Sequence, residues 1–335
     1  MAYTTIDDPT QYFNTAIWTG TGDSTTAVTG VGHQPDFIWI KNRDVGDDHM
    51  LYDSVRGGTK RMFSNSTGAE GTESQGIQSF DSDGFTTGTH RATGGDASNK
   101  MVAWNWKEDA TAGFDIVSYT GNSSDGTTVQ DISHSLSAVP HWIIIKNRAD
   151  STNWAVYHKG NTSAPETEVI YLNATNATSD DSAFFGDTAP TSSQFRVGGD
   201  NGVNGNGDSM IAYVWSEKKS FSKFGSYTGN GNADGTFVYT GFKPAWLLYK
   251  RSDDSTGRNW QIYDNKRSTF NELNKRLRAD TSDAETTSTG IDFTSNGFKL
   301  RTSDGNYNAS GANYIYMAFA ESPFVNSNGI PTNAR

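Results

Sequence analysis

Tryptophan is the first residue type in this chain that could do chemistry. Trp39, Trp104, Trp106, Trp142, Trp154, Trp215, Trp246 and Trp260 fall in or beside apolar runs. An indole face can stack on the C–H face of a hexose while a nearby Asp or Asn takes the sugar hydroxyls. The same rings also fill the cores of β-sandwiches. Recurrence at equivalent places inside apolar runs favours core for most of them. Trp154 and Trp260 are bordered by polar turns, so these two are expected to present an exposed carbohydrate platform, with Asp264 as hydroxyl partner. Acidic turns come second: Asp81-Ser82-Asp83-Gly84, Asp253-Asp254, Asp47-Asp48 and Asp180-Asp181. Clustered carboxylates suit Ca²⁺, but no glutamate closes a calcium loop after Gly84. Turns that start strands are the expected reading, with no metal site.

Other groups offer less. Arg56, Lys60 and Arg61, with Lys266, Arg267, Lys275, Arg276 and Arg278, form a basic set in a chain of net charge -11. They could meet an acidic partner or a neighbouring subunit, but a solvated face is expected. The stretch GGDNGVNGNGDS at 198–209 precedes no Lys-Ser/Thr pair, so it reads as a long hairpin or mobile loop rather than a phosphate loop. The six histidines follow no metalloprotease or triad pattern. Glu108, Glu217 and Glu321 recur once per unit at strand ends, whereas a glycosidase needs two carboxylates facing one bond. They are expected to hold the next unit's backbone or a lysine. No catalytic residue and no cofactor is expected.

The elements that must position these groups repeat three times. Pro35, Pro140 and Pro244, about 105 residues apart, introduce FIWIKNR, HWIIIKNR and AWLLYKRS. Aromatic-Thr-Gly turns precede them, at Trp18, Tyr119 and Tyr227. Aromatic strands follow (HMLYDS, NWAVYHK, NWQIYDN), and each unit closes on MVAWNWKE, MIAYVWSE or YIYMAFAE. A period this long fits a complete small domain. The expected organisation is an N-terminal arm at 1–12, units at 13–110, 113–219 and 221–324, and a tail at 325–335. Short joints imply units that touch. Short β-branched and aromatic runs between Gly/Asn/Asp turns predict an all-β fold of three tandem antiparallel sandwiches of jelly-roll or lectin-like type. Continuous apolar runs imply strands buried on both faces. Phe270, Leu273 and Leu277 give one helical stripe at 265–278, enough for a turn or two.

Composition narrows the classes. There is no cysteine and the chain is acidic, with a pI near 4.9. Disulfides and thiolate metal sites are excluded, and nucleic acid is not an expected partner. No run approaches 18 apolar residues, so no membrane span is expected. The opening MAYTTIDDPTQYF has neither the basic nor the apolar region of a secretion signal, and none is expected.

The combination of YTGNG, the Pro-led strand ending in Lys-(Asn/Arg)-(Arg/Ser), NWxxYD, SNGF and AFAESPF resembles an uncharacterised tandem-repeat β-domain family of tailed, often marine, phage virion proteins. The second unit departs most: His158 replaces Asp53 and Asp264, and SSQF replaces the SDGF/SNGF turn. The resemblance implies a lectin-like sandwich in a structural, non-enzymatic component on the outside of a virion: fibre, tail appendage or capsid decoration. A carbohydrate-binding adhesin that recognises host surface glycans is the alternative, and a polysaccharide depolymerase has no motif to support it. Expected partners are other virion proteins and further copies of the chain, as a homotrimer with a terminal arm in the contact.

Overall fold

A computed structural model of the chain describes residues 4–254 and 256–332. The fold is all-β, built from antiparallel sheets. In the first unit one sheet runs, edge to edge, Phe13–Thr19, Lys100–Trp106, Phe37–Asn42, Met50–Asp53, Lys60–Phe63 and Gly71–Thr72. The second unit repeats that order with Phe114–Thr120, Ser209–Trp215, Trp142–Asn147, Ala155–His158, Glu168–Tyr171 and Ser179–Asp180. The third does so with Ser222–Thr228, Asn313–Pro323, Phe242–Arg251, Gln261–Asp264, Leu273–Arg278 and Thr286–Thr294.

A smaller sheet covers one face of each. It is Thr26–Thr29, Gly84–Thr87 and Ile77–Asp81 in the first unit, and Gln130–Ser133 with Gln194–Val197 in the second. In the third, the long Thr286–Thr294 strand runs on into Gly297–Leu300 and Phe237–Tyr239, so both layers join in one eight-stranded sheet.

Alternation along the strands explains why the apolar runs are unbroken. Ile38 and Ile40, Ile143 and Ile145, and Leu247 and Tyr249 pack into three separate unit cores. Their neighbours Phe37 and Trp39, Trp142 and Ile144, and Trp246 and Leu248 face the other way, into one core shared by all three units. Successive strand side chains point to opposite faces, so each central strand must be apolar on both. The shared core is aromatic: Trp106 meets Trp215 and Trp246 edge-on at 6.3 and 5.4 Å, and Phe13 stacks on Phe319 at 4.8 Å.

Three local expectations change. Residues 273–278 form a strand, not a helix; Leu273 and Leu277 are both buried, and a register shift between Leu273 and Lys275 sends the first into the third unit's core and the second into the shared core. Phe270 belongs to no stripe and is 84% exposed. Residues 201–204 form a helical turn capped by Asp200, with Val203 and Asn204 buried. The arm lies on its own chain: Ile6 enters the shared core, Thr4 donates to the Lys219 carbonyl, and Tyr12 packs edge-on against Phe221. Asp7 in turn accepts from the Ser327 N–H of the tail. Among the described residues of the arm, Ile6 and Tyr12 are thus packed against the chain itself.

Candidate functional site

Trp154 and Trp260 are not surface platforms. Both are fully buried, and Asp264 is buried as well at 1% exposure, so no sugar ring reaches their faces. Each indole instead crosses between units: Trp154 Nε1 donates to the Phe63 carbonyl and Trp260 Nε1 to the Tyr171 carbonyl, both at 2.9 Å. Their polar flanks come from carboxamide and carboxylate caps, since Asn173 and Asp280 accept the Trp154 and Trp260 N–H groups. His49 occupies the same place in the first unit. Its Nδ1 accepts from Trp39, and its ring lies against Arg278 of the third unit.

These contacts close a ring. Glu70 N–H donates to the Arg148 carbonyl, Thr178 to Ser252 and Glu285 to Arg43, all at 2.8–2.9 Å. They join first unit to second, second to third and third to first. A buried lysine follows each Pro-led strand. Lys146 Nζ donates to Thr67 of the first unit, and Lys250 Nζ to Thr175 of the second. Lys41 donates to Asn42 and Val45. Burial pushes all three amines down to about 8. Their recurrence in the Lys-(Asn/Arg)-(Arg/Ser) motif was the signal available in the sequence; a charge closing an apolar strand reads as exposed unless a neighbouring unit covers it.

Two seams carry buried ion pairs. Asp53 meets Arg56 at 2.5 Å and accepts from the Tyr213 hydroxyl at 2.6 Å, while Glu70 binds Arg56 and Arg148. Asp264 meets Arg267 at 2.5 Å and accepts from Trp104 Nε1 at 3.0 Å, while Glu285 binds Arg267 and Arg43. Arg56 and Arg267 are therefore ring contacts rather than a solvated basic face. At the remaining seam His158 Nε2 donates to the Tyr316 carbonyl at 3.1 Å, and its Nδ1 accepts from Gly160 N–H. Burial holds His158 neutral, down to about 4.

The repeated glutamates sit at the joints. Glu108 accepts from Ile116 N–H, Glu217 pairs with Lys223 at 2.8 Å, and Glu321 pairs with Lys243 of its own unit at 2.7 Å. Burial, reinforced by the neighbouring Asp115 and Asp36, pushes the Glu108 carboxyl up to about 7. The acidic turns are structural: Asp83 accepts from Gly30 and Gly32 N–H, Asp181 caps a helical turn, and Asp254 binds Arg251 and Arg258. Among the described residues no three potential ligands gather as a metal site.

The open site is elsewhere, on the third unit. Two adjoining depressions of about 350 and 440 Å³ share Lys243, Asn271, Phe293 and Glu321. One continues to Thr294, Ser295 and Thr332, the other to Lys266, Ser268 and Phe270. Nothing in the sequence marked this cleft, because the loop carrying Phe270 reads as helix.

No curated protein matches the chain at a significant level. A family model described as a domain of unknown function, DUF7483, matches residues 8–323, a span that takes in the three units almost completely and the end of the arm. The chain belongs to the DUF7483 family.

Proposed function

We propose that the chain is a non-enzymatic structural component on the outside of a phage virion, as a fibre, tail appendage or capsid decoration. The observation that carries this reading is the ring, in which one chain locks three sandwiches around a common aromatic core by equivalent bonds at every seam. Such a body is stiff and self-contained, and it leaves the outer loops free to vary. The resemblance of its repeated motifs to tailed-phage virion proteins supplies the setting. The protein would assemble in the host cytoplasm and meet other virion proteins through its outer faces. A homotrimer would join whole rings by those faces, since the arm is already occupied on its own chain. Gold-labelled antibodies against the purified chain, applied to intact particles, are expected to decorate their exterior. Absence of the chain from purified particles, or label only after disruption, overturns the reading.

One observation favours a second role, recognition of a surface glycan. Phe270 is 84% exposed at the edge of a polar cleft, an unusual place for a large aromatic ring in a molecule that buries most of its tryptophans.

A further inference from the structure

The third unit differs from the first at the loop after its aromatic strand, and from the second, whose residues 159–167 make that connection through a short helical turn at Pro165–Thr167. In the first unit residues 54–59 connect Met50–Asp53 to Lys60–Phe63, and the loop packs tightly. A Cβ at Gly58 would meet the Ile77 carbonyl oxygen at 2.6 Å. In the third unit residues 265–272 make the same connection. The added length lifts Phe270 and Thr269 into solvent and opens the double cleft beneath them.

This loop is held from below. Asp264 Oδ1 accepts from Lys266 N–H at 3.1 Å and from Arg267 N–H at 2.8 Å. Ser268 Oγ accepts from Asn274 and Lys275 N–H. Asn271 binds both backbone groups of Phe293, donating at 2.7 Å and accepting at 3.0 Å. A cleft wall fixed at both ends loses little freedom on binding. Asp264, expected as a sugar contact, is instead the buried anchor of the loop that bears the contacts.

The charges in the cleft are unequal. Lys243 is neutralised by Glu321 at 2.7 Å. Lys266 is exposed and, among the described residues, its ammonium has no ionic partner. The cleft therefore offers an exposed aromatic ring, one uncompensated cation, one carboxylate–ammonium pair and the exposed Thr269 hydroxyl. In a chain of net charge -11, an unpaired lysine beside an exposed ring is a local complement to an anion with an apolar face. The joint volume accepts a ligand of a few sugar rings.

We propose that this third-unit cleft binds an acidic saccharide, a hexose chain bearing carboxylates. One ring stacks on Phe270, its carboxylate faces Lys266, and its hydroxyls meet the Lys243–Glu321 pair. The inference rests on the glycan-recognition reading above, and narrows it to one unit and one sugar class.

The test is calorimetric titration of the full chain with a galacturonic acid trisaccharide and, separately, with neutral maltotriose. The acidic trisaccharide is expected to bind at least about tenfold more tightly. Phe270→Ala and Lys266→Ala are each expected to weaken it at least about tenfold without moving the unfolding midpoint, since both side chains are exposed. Lys60→Ala, on the strand that follows the short loop of the first unit, is expected to leave binding unchanged. Equal binding of the two sugars would overturn the acidic class and leave glycan recognition standing. Binding that survives both cleft variants would overturn the site. No binding of either sugar at millimolar concentration would overturn the proposal and the glycan reading together.

Discussion

The seam between the second and third units and its two counterparts solve one problem in opposite ways. Where the first unit meets the second and the third meets the first, a buried carboxylate, Asp53 or Asp264, is matched by a guanidinium and by a donor from the neighbouring unit, Tyr213 or Trp104. Between the second and third units the donor's register position, opposite Leu248, is held by Met317, which donates nothing. A carboxylate there would be buried without its partner, which is strongly unfavourable. The chain places neutral His158 there instead, and its N–H finds a backbone carbonyl. A threefold-like ring thus tolerates asymmetry when both sides of a seam change together.

The largest expected effects break the charged seams. Asp53→Ala or Asp264→Ala leaves a buried arginine short of its closest anion, at a cost on the order of 3–5 kcal/mol. His158→Ala removes two neutral hydrogen bonds and some packing, about 1–3 kcal/mol. Denaturant unfolding measures the difference, and equal losses at the three seams would erase the distinction. The comparison sharpens with His158→Asp, expected to be as damaging as the first pair, and its partial rescue by Met317→Tyr. Coupling below about 0.5 kcal/mol in that cycle would mean that the two positions are independent.

Next in size are the rings at the joints. Phe114 and Phe221 are buried at 2% and 1% exposure. Each truncation to Ala is expected to cost about 3 kcal/mol, and a change near zero would mean that the units behave as separate beads. Trp154→Phe and Trp260→Phe keep most of the aromatic volume and lose one inter-unit hydrogen bond, about 1 kcal/mol each. An unchanged midpoint in both would contradict the role assigned to the indole N–H.

The smallest expected effect is a pH dependence at the first joint. Glu108 is raised above its usual value to about 7, so the folded chain holds a proton that the unfolded chain releases. The stability it contributes is present below about pH 4.5 and is lost as pH rises through 7. Glu108→Gln is expected to flatten the fall in melting temperature between pH 5 and pH 8; an unaltered slope would place the titrating group elsewhere.

The all-β, antiparallel character could be read from the sequence because it depends on local pattern: apolar runs of four or five, Pro before and polar turns after. Which face of a strand looks where could not. Trp154 follows Asn153 in the chain, yet its partner Phe63 lies 91 residues away in another unit. A polar neighbour in sequence says nothing about a neighbour brought by ring closure. Lys146 and Lys250 were hidden for the same reason, their carbonyl acceptors Thr67 and Thr175 being supplied by the preceding unit. The cleft was missed through a false period, since Phe270, Leu273 and Leu277 fit a helical stripe, while the structure makes a strand of the two leucines, sends them into different cores and leaves Phe270 in solvent.

Differential scanning calorimetry of the intact chain, with Asp53→Ala and Asp264→Ala beside it, tests the ring most directly. A closed ring with one shared core is expected to melt in a single transition whose calorimetric and van't Hoff enthalpies agree, and each variant is expected to move that whole transition down. Separate peaks, or a calorimetric enthalpy about three times the van't Hoff value, with each variant shifting only part of the signal, would contradict it.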